Sequence, residues 1–324
     1  MNTLKNKSYD LPDQAGFSIV ELMISISLGL LVLAAVLKIF TANLEGVHLQ
    51  NAFSRVQENG RLATELIIRD IRGADYWGCV GDIDEISNNL DTTDSNYDAS
   101  LLPTAGDGVG GSNDVTSQTI ASINVKDNTD ILILRGASSI AGITITTPYM
   151  PSTAAVLHIN TGSSIAKGDV ILIADCQNAD LFSNTQENTP TNGNIGHNTG
   201  SLASGIKNAT KNLSKTYGGN AQILTPYTKQ YFIGINSSGS DSLYRADNGV
   251  ANELVRGINN LQVMYGEDTN ANGSVNIFTA TPTNMAQVLS IRVSLTSESG
   301  ESSAGSQLER TYQTTANIRN RTLQ

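Results

Sequence analysis

Basic residues are scarce in this chain: 20 Lys and Arg stand against 30 Asp and Glu, and the net charge of −10 argues against a chain-wide electrostatic grip on DNA or anionic lipid. Only a small local basic patch is compatible with that balance. Catalytic signatures are missing too. The histidines, His48, His158 and His197, lie far apart, and neither G-x-S-x-G nor H-E-x-x-H occurs. The stretch 106–111, Gly-Asp-Gly-Val-Gly-Gly, fits G-x-G-x-x-G in its letters alone. No strand pattern precedes it and no helical pattern follows, so nothing there aims amides at a phosphate. These absences point to a chain that is not an enzyme. Aromatic residues are few, at 5%, whereas 29 glycines and abundant Ser, Thr and Asn indicate a loop-rich β domain working outside the cytoplasm. Cysteine is nearly absent as well. Cys79 and Cys176 are the one pair available, and an even count in an exported domain favours a disulfide over two buried thiols. Closing a loop of roughly 98 residues contributes up to about 4.7 kcal/mol in the chain-entropy treatment.

What the chain does contain is one long apolar run. Residues 17–40 read FSIVELMISISLGLLVLAAVLKIF, and roughly 20 apolar residues suffice to span a bilayer as a helix. The stretch before it, 1–16, carries Lys5, Lys7, Asp10 and Asp13 and has no apolar core, so it is not an ordinary secretory signal. A cut behind it would keep the span and leave the net charge at −10, since the two lysines and two aspartates cancel. Glu21 sits one turn inside the span, where an ionised side chain costs on the order of 3 kcal/mol unless paired. Two readings are open from chemistry alone: a tolerated acid at the headgroup boundary, near the positive end of the helix dipole, or a charge awaiting a partner.

Helical periodicity continues past Phe40. Leu44, Val47, Ala52, Val56, Ala63, Leu66, Ile67 and Ile71 fall near one stripe. Opposite it, Glu58 with Arg61, Arg61 with Glu65 and Glu65 with Arg69 have the spacing of surface ion pairs and mark a solvated face. Unbroken to about residue 72, such a helix is roughly 84 Å long. Short β-type runs follow at 131–134, 140–146, 155–159 and 170–174, then at 230–235, 242–245, 254–265, 288–295 and 310–318, which predicts an antiparallel sheet. Between them, 82–128 and 184–220 are polar and weakly periodic and read as surface excursions, either variable loops or partner contacts.

Gly16-Phe17-Ser18-Ile19-Val20-Glu21-Leu22 and the apolar run behind it resemble the leader and N-terminal helix of type IV pilins and type II secretion pseudopilins. Further stretches resemble PilW-type minor pilins. They are Gln57-Glu58-Asn59-Gly60-Arg61, Arg69-Asp70-Ile71-Arg72, Tyr76-Trp77-Gly78-Cys79, the Asp-Cys-x-x-Ala-Asp-Leu-Phe wording at 175–182, the stretch 254–266, and the ending at 315–321. The resemblance implies an α+β pilin-like fold, a long N-terminal helix packed on a C-terminal antiparallel sheet domain with long loops. Its expected divisions are a leader (1–16), a transmembrane half-helix (17–40), an amphipathic half-helix (41–75) and an exported β-rich domain (76–324). It also implies cleavage after Gly16 by a prepilin peptidase, N-methylation of Phe17, and pairing of Glu21 with a neighbouring subunit's terminal amine. The implied protein is a single-pass inner-membrane precursor with a periplasmic domain. Its implied partners are other minor pilins, the major pilin, the assembly platform and a tip adhesin, with which it primes pilus assembly and caps the tip. Two alternatives are a J-class type II secretion pseudopilin, which shares this plan, and a tip adhesin or DNA-uptake receptor built on the two polar stretches.

One candidate for metal chemistry is present. Asp268, Asn270, Asn272, Ser274 and Asn276, with Gly273 at the turn, fit the start of a calcium loop. Asp268 is the only carboxylate among them and the twelfth position is Thr279, so any affinity is expected in the millimolar range. A metal-free Asn-Gly hairpin is the alternative. No other cofactor is expected.

Overall fold

The computed structural model describes residues 16, 18–79, 86–102, 108–161, 164–187, 193–200, 202–303 and 306–322, in a chain that divides into two compact units, Met1–Ala52 and Phe53–Gln324. Helix α1 (Ile19–Gly73) forms the described helical part of the first unit and, from Phe53 on, a helical segment of the second.

The second unit continues through β1 (Ile86–Asn88), β2 (Val109–Val115), β3 (Thr119–Ile120), β4 (Ile123–Asn124), β5 (Thr129–Ser139) and β6 (Leu157–His158). Next come β7 (Val170–Ala174), β8 (Ala179–Ser183), β9 (Asn194–Ile195), β10 (Gln222–Ile235), β11 (Asp241–Asp247) and β12 (Val250–Arg256). The chain then forms β13 (Ile258–Glu267), β14 (Ile277–Thr279), β15 (Val288–Ser303), β16 (Ser306–Asn317) and a short α2 (Arg319–Thr322). An eight-stranded sheet and a four-stranded sheet dominate, the latter ordered β14-β13-β15-β16. The fold is α+β, as expected.

Strand β10 is the spine of the larger sheet. Leu224 pairs with both Ser139 of β5 and Leu172 of β7, while Lys229 pairs with both Leu134 of β5 and Asp247 of β11. β5 therefore runs along one edge of β10, and β7 and β11 share the other. Both faces of this sheet are covered, which explains the unbroken apolar run of β7. Ile171 and Ile173 face Phe182, Tyr217 and Ile223, whereas Leu172 and Ala174 face Trp77, Leu181 and Leu224.

The main core joins both sheets to the helix. Ala63, Ile67 and Ile71 of α1 pack with Leu132, Tyr231, Val263, Ile291 and Leu295, among others. Gly60 lies on the same stripe because a side chain there would fall inside the Tyr312 ring.

Three expectations need correction. The run 254–265 is two strands in different sheets. Gly257 (φ +68°) turns the chain out of β12 and into β13; a Cβ there would meet the Glu298 carbonyl oxygen at 2.8 Å. Both flanks are β-formers, so periodicity alone ran through the break. The run 140–146 is not a strand: only Ile145 makes an isolated bridge, to Ile159, and 155–159 contributes just the two residues of β6.

Finally, the polar stretches are not simple surface excursions. Each buries single apolar residues, Leu90, Leu102, Val109, Val115 and Val125 in the first and Ile206, Leu213 and Tyr217 in the second. They also bond to each other: Asp91 N–H donates to Lys207 O at 2.8 Å and Ala209 N–H to Asn89 O at 2.8 Å. Their polar side chains replace ladder partners. Asp91, Asp94 and Asp98 each accept the N–H two residues on. Asn208 pairs with the backbone of Ser183 through both its oxygen and its amide, at 2.7 and 2.9 Å. Of the stretch 106–111, Gly108 to Gly111 lead into and open β2, and the first two residues lie outside the described ones.

Gly60→Ala gains about 1 kcal/mol of helix propensity and forces overpacking that costs about 1–3 kcal/mol. The expected outcome is a lower melting temperature, partly recovered in Gly60→Ala with Tyr312→Ala; an unchanged or raised melting temperature in the single variant would contradict this packing.

Candidate assembly site

The first unit presents an apolar helix with no protein cover. In its membrane-length window no residue is buried, and Ile19, Leu31 and Phe40 are 78%, 68% and 58% exposed. Among the described residues this is the one helix long and apolar enough to cross a membrane. Its hydroxyls are already satisfied: Ser25 and Ser27 donate to the carbonyls of Glu21 and Met23, each at 2.8 Å, which removes the cost of carrying them into lipid. Glu21 lies in the first turn, and the ladder starts with Leu22 N–H donating to Ser18 O at 3.1 Å. Gly16 is exposed; Phe17 lies outside the described residues.

The later part of α1 is held by its last turns. Asp70, 8% exposed, accepts from the Tyr231 hydroxyl at 2.6 Å and faces Lys229 at 3.1 Å and Arg245 at 3.2 Å. Burial opposes its charge, but the Tyr231 hydrogen bond with Lys229 and Arg245 outweighs it, holding the carboxyl below its ordinary value of 3.8. Burial and the same carboxylate push Tyr231 up, so the hydroxyl stays a donor. Beyond the helix, the orphan carbonyls of Gly73 and Ala74 accept from the Tyr227 hydroxyl at 2.9 Å and the Asn320 amide at 2.8 Å. Asp75, at φ 62°, accepts from Trp77 Nε1 at 2.8 Å and is paired with Arg321. The i,i+3 and i,i+4 pairs expected among Glu58, Arg61, Glu65 and Arg69 do not appear as ion pairs among the described residues. Arg69 instead approaches Asp70, at 3.6 Å.

Two family comparisons bear on this arrangement. Residues 11–37 match the prokaryotic N-terminal methylation motif, and residues 230–321 match the PilW family, described as type IV pilus-assembly protein W. The second match begins one residue before Tyr231, ends at Arg321 and contains Arg245 and Asn320, four of the side chains that grip the end of α1. By these two matches the chain resembles a PilW-family, pilin-like protein at its N-terminal helix and from the later part of β10 through β16. No curated protein and no solved structure matches it.

The cysteines are bonded as expected. Cys79 and Cys176, 97 residues apart, form a disulfide with a Cα–Cα distance of 4.6 Å, joining the segment after α1 to the turn between β7 and β8. Two residues past that turn sits a node that sequence reasoning missed. Asp180, fully buried, accepts from the Tyr217 and Ser214 hydroxyls, each at 2.6 Å, and from Asn89 Nδ2 at 2.7 Å. It thereby ties both polar stretches to β8. The available signal was an acid between apolar residues on a buried strand.

The calcium-loop residues close the β13–β14 hairpin. Asp268 accepts the N–H of Gly273 at 2.7 Å with one oxygen and those of Asn272 and Asn270 at 3.2 and 3.3 Å with the other. Asn272 accepts from Ser274 N–H at 2.9 Å, and Asn276 from Thr269 N–H at 3.0 Å. Burial opposes the Asp268 charge; the backbone donors outweigh it and lower the pKa. A cation would have to displace these amides from the only carboxylate in the set. Among the described residues no three His, Cys, Asp or Glu side chains cluster as metal ligands.

Two measurements follow from this geometry. Because the Asp70 pKa is depressed on folding, its contribution is complete above the ordinary value of 3.8 and is lost as pH falls through the folded value. Asp70→Asn should lower stability at pH 7 by about 2 kcal/mol and shrink the further loss seen between pH 5 and 2. An equally steep acid limb in the variant would remove Asp70 from that role. For the hairpin, several millimolar calcium should leave the melting temperature unmoved; an upward shift would assign the loop to a cation.

Proposed function

We propose that this pilin is a membrane-anchored precursor, cut between Gly16 and Phe17 and methylated on Phe17. It then joins other minor pilins in the complex that primes type IV pilus assembly and caps the tip. The observation that carries this reading is the bare apolar helix with Glu21 in its first turn. A helix that is apolar on every side needs lipid or other helices around it. A carboxylate at that depth needs a cation, and the N-terminal amine of a neighbouring subunit's Phe17 supplies one in a medium where attraction is strong. The lipid-embedded state is then a holding state, and filament entry exchanges lipid for helix faces. The Cys79–Cys176 disulfide supports an oxidising, periplasmic side for the second unit.

Glu21→Ala should leave the chain in the membrane fraction and reduce its recovery in sheared pili by about tenfold or more, as expected for loss of a charge pair worth at least about 1.4 kcal/mol. Incorporation at the wild-type level would refute the role of Glu21.

A further inference from the structure

In the second unit a groove of about 1660 Å³ runs between the outer flank of α1 and β16. Its walls carry Arg61, Arg69, Arg72, Arg310 and Arg319 against only Glu58 and Glu65, a local excess of positive charge in a chain whose net charge is −10. One wall is an open sheet edge, since β16 ends the order β14-β13-β15-β16. The register shows which groups that edge offers. Ile318 N–H donates to Leu289 O, one step beyond the Ser290↔Asn317 pair. Residues 310, 312, 314 and 316 therefore turn their backbone groups toward β15, and Thr311, Gln313 and Thr315 turn theirs to the open edge. Across the groove, Leu62 of α1 is 44% exposed and Leu66 only partly covered.

We propose that this groove is an interaction surface for an extended acidic segment of another polypeptide. That segment adds to β16 as a fifth strand. Its backbone pairs with Thr311, Gln313 and Thr315, its carboxylates lie over the arginines, and an apolar side chain covers Leu62. Charge selects the occupant: a basic or neutral strand pairs with the same backbone but does not answer the groove's excess of positive charge. These residues are separate from those of the apolar helix, so the surface stands or falls independently of pilus incorporation through Glu21.

The test uses the full chain in detergent micelles and a fluorescent nine-residue peptide of alternating Glu and Val, with a Lys-Val peptide as control, followed by anisotropy. The Glu peptide should bind about tenfold or more tightly than the Lys peptide and weaken as salt is raised. Gln313→Pro removes an open-edge N–H without breaking a backbone bond to β15, at the cost of one exposed side-chain bond to Ser294, and should abolish binding. Arg72→Glu with Arg310→Glu, both exposed in the native chain, should weaken it about tenfold. Melting curves check that each variant folds, and the charge-reversal pair decides if the proline variant does not. Equal binding of both peptides, full binding by the charge-reversal pair, or full binding by a folded Gln313→Pro variant would overturn the proposal. So would a chain already dimeric through this edge and closed to the peptide, which would make the occupant a second copy.

Discussion

A buried carboxylate on a helix is tolerable only when its charge is answered, and Asp70 is the point where the second unit answers it. Tyr231 and Lys229 come from β10, and Arg245 from β11. The spine of the eight-stranded sheet and its neighbour are thus fixed against the last turns of α1 by one side chain. Apolar packing at Ala63, Ile67 and Ile71 supplies most of the driving force and is non-directional. The Asp70 contacts are directional and set the rotation of the helix against the sheet. Asn320 and Arg321 complete the arrangement from the end of the chain, so the helix terminus is held from three parts of the sequence.

Much of this was legible in the residues because it obeys period and composition. The apolar run, the stripe through Val56, Ala63, Ile67 and Ile71, the strand 170–174 and the cysteine pair each carry a local signal that tertiary context did not override. What failed did so for physical reasons. Gly257 breaks a run whose two halves are both good strand formers, and only its positive φ records the passage between sheets. The polar stretches looked unstructured because their order comes from Asp and Asn side chains acting as backbone partners, as Asn208 does for Ser183. Such a device has no periodicity to detect.

The site was legible unevenly. Glu21 was marked by its cost in an apolar run, and Asp70 was noticed only as part of a family wording. Its role needed Tyr231 and Arg245, which are 161 and 175 residues away. Asp180 had a weaker signal still, since an acid on a strand is ordinarily on the wet face. Here both faces are dry, and three donors from distant loops make the position stable.

The grip of the chain's end on the end of its helix sets an order of events. Asn320 and Arg321 reach Ala74 and Asp75 across 246 residues. These contacts cannot close until residue 321 has been synthesised. Until then the Ala74 carbonyl, just past the helix, and the Asp75 carboxylate lack these partners. Closure is therefore a late, high-contact-order event, and a completed cap reports that the chain is present through residue 321. A chain cut short of residue 320 would carry the same apolar helix without that lock.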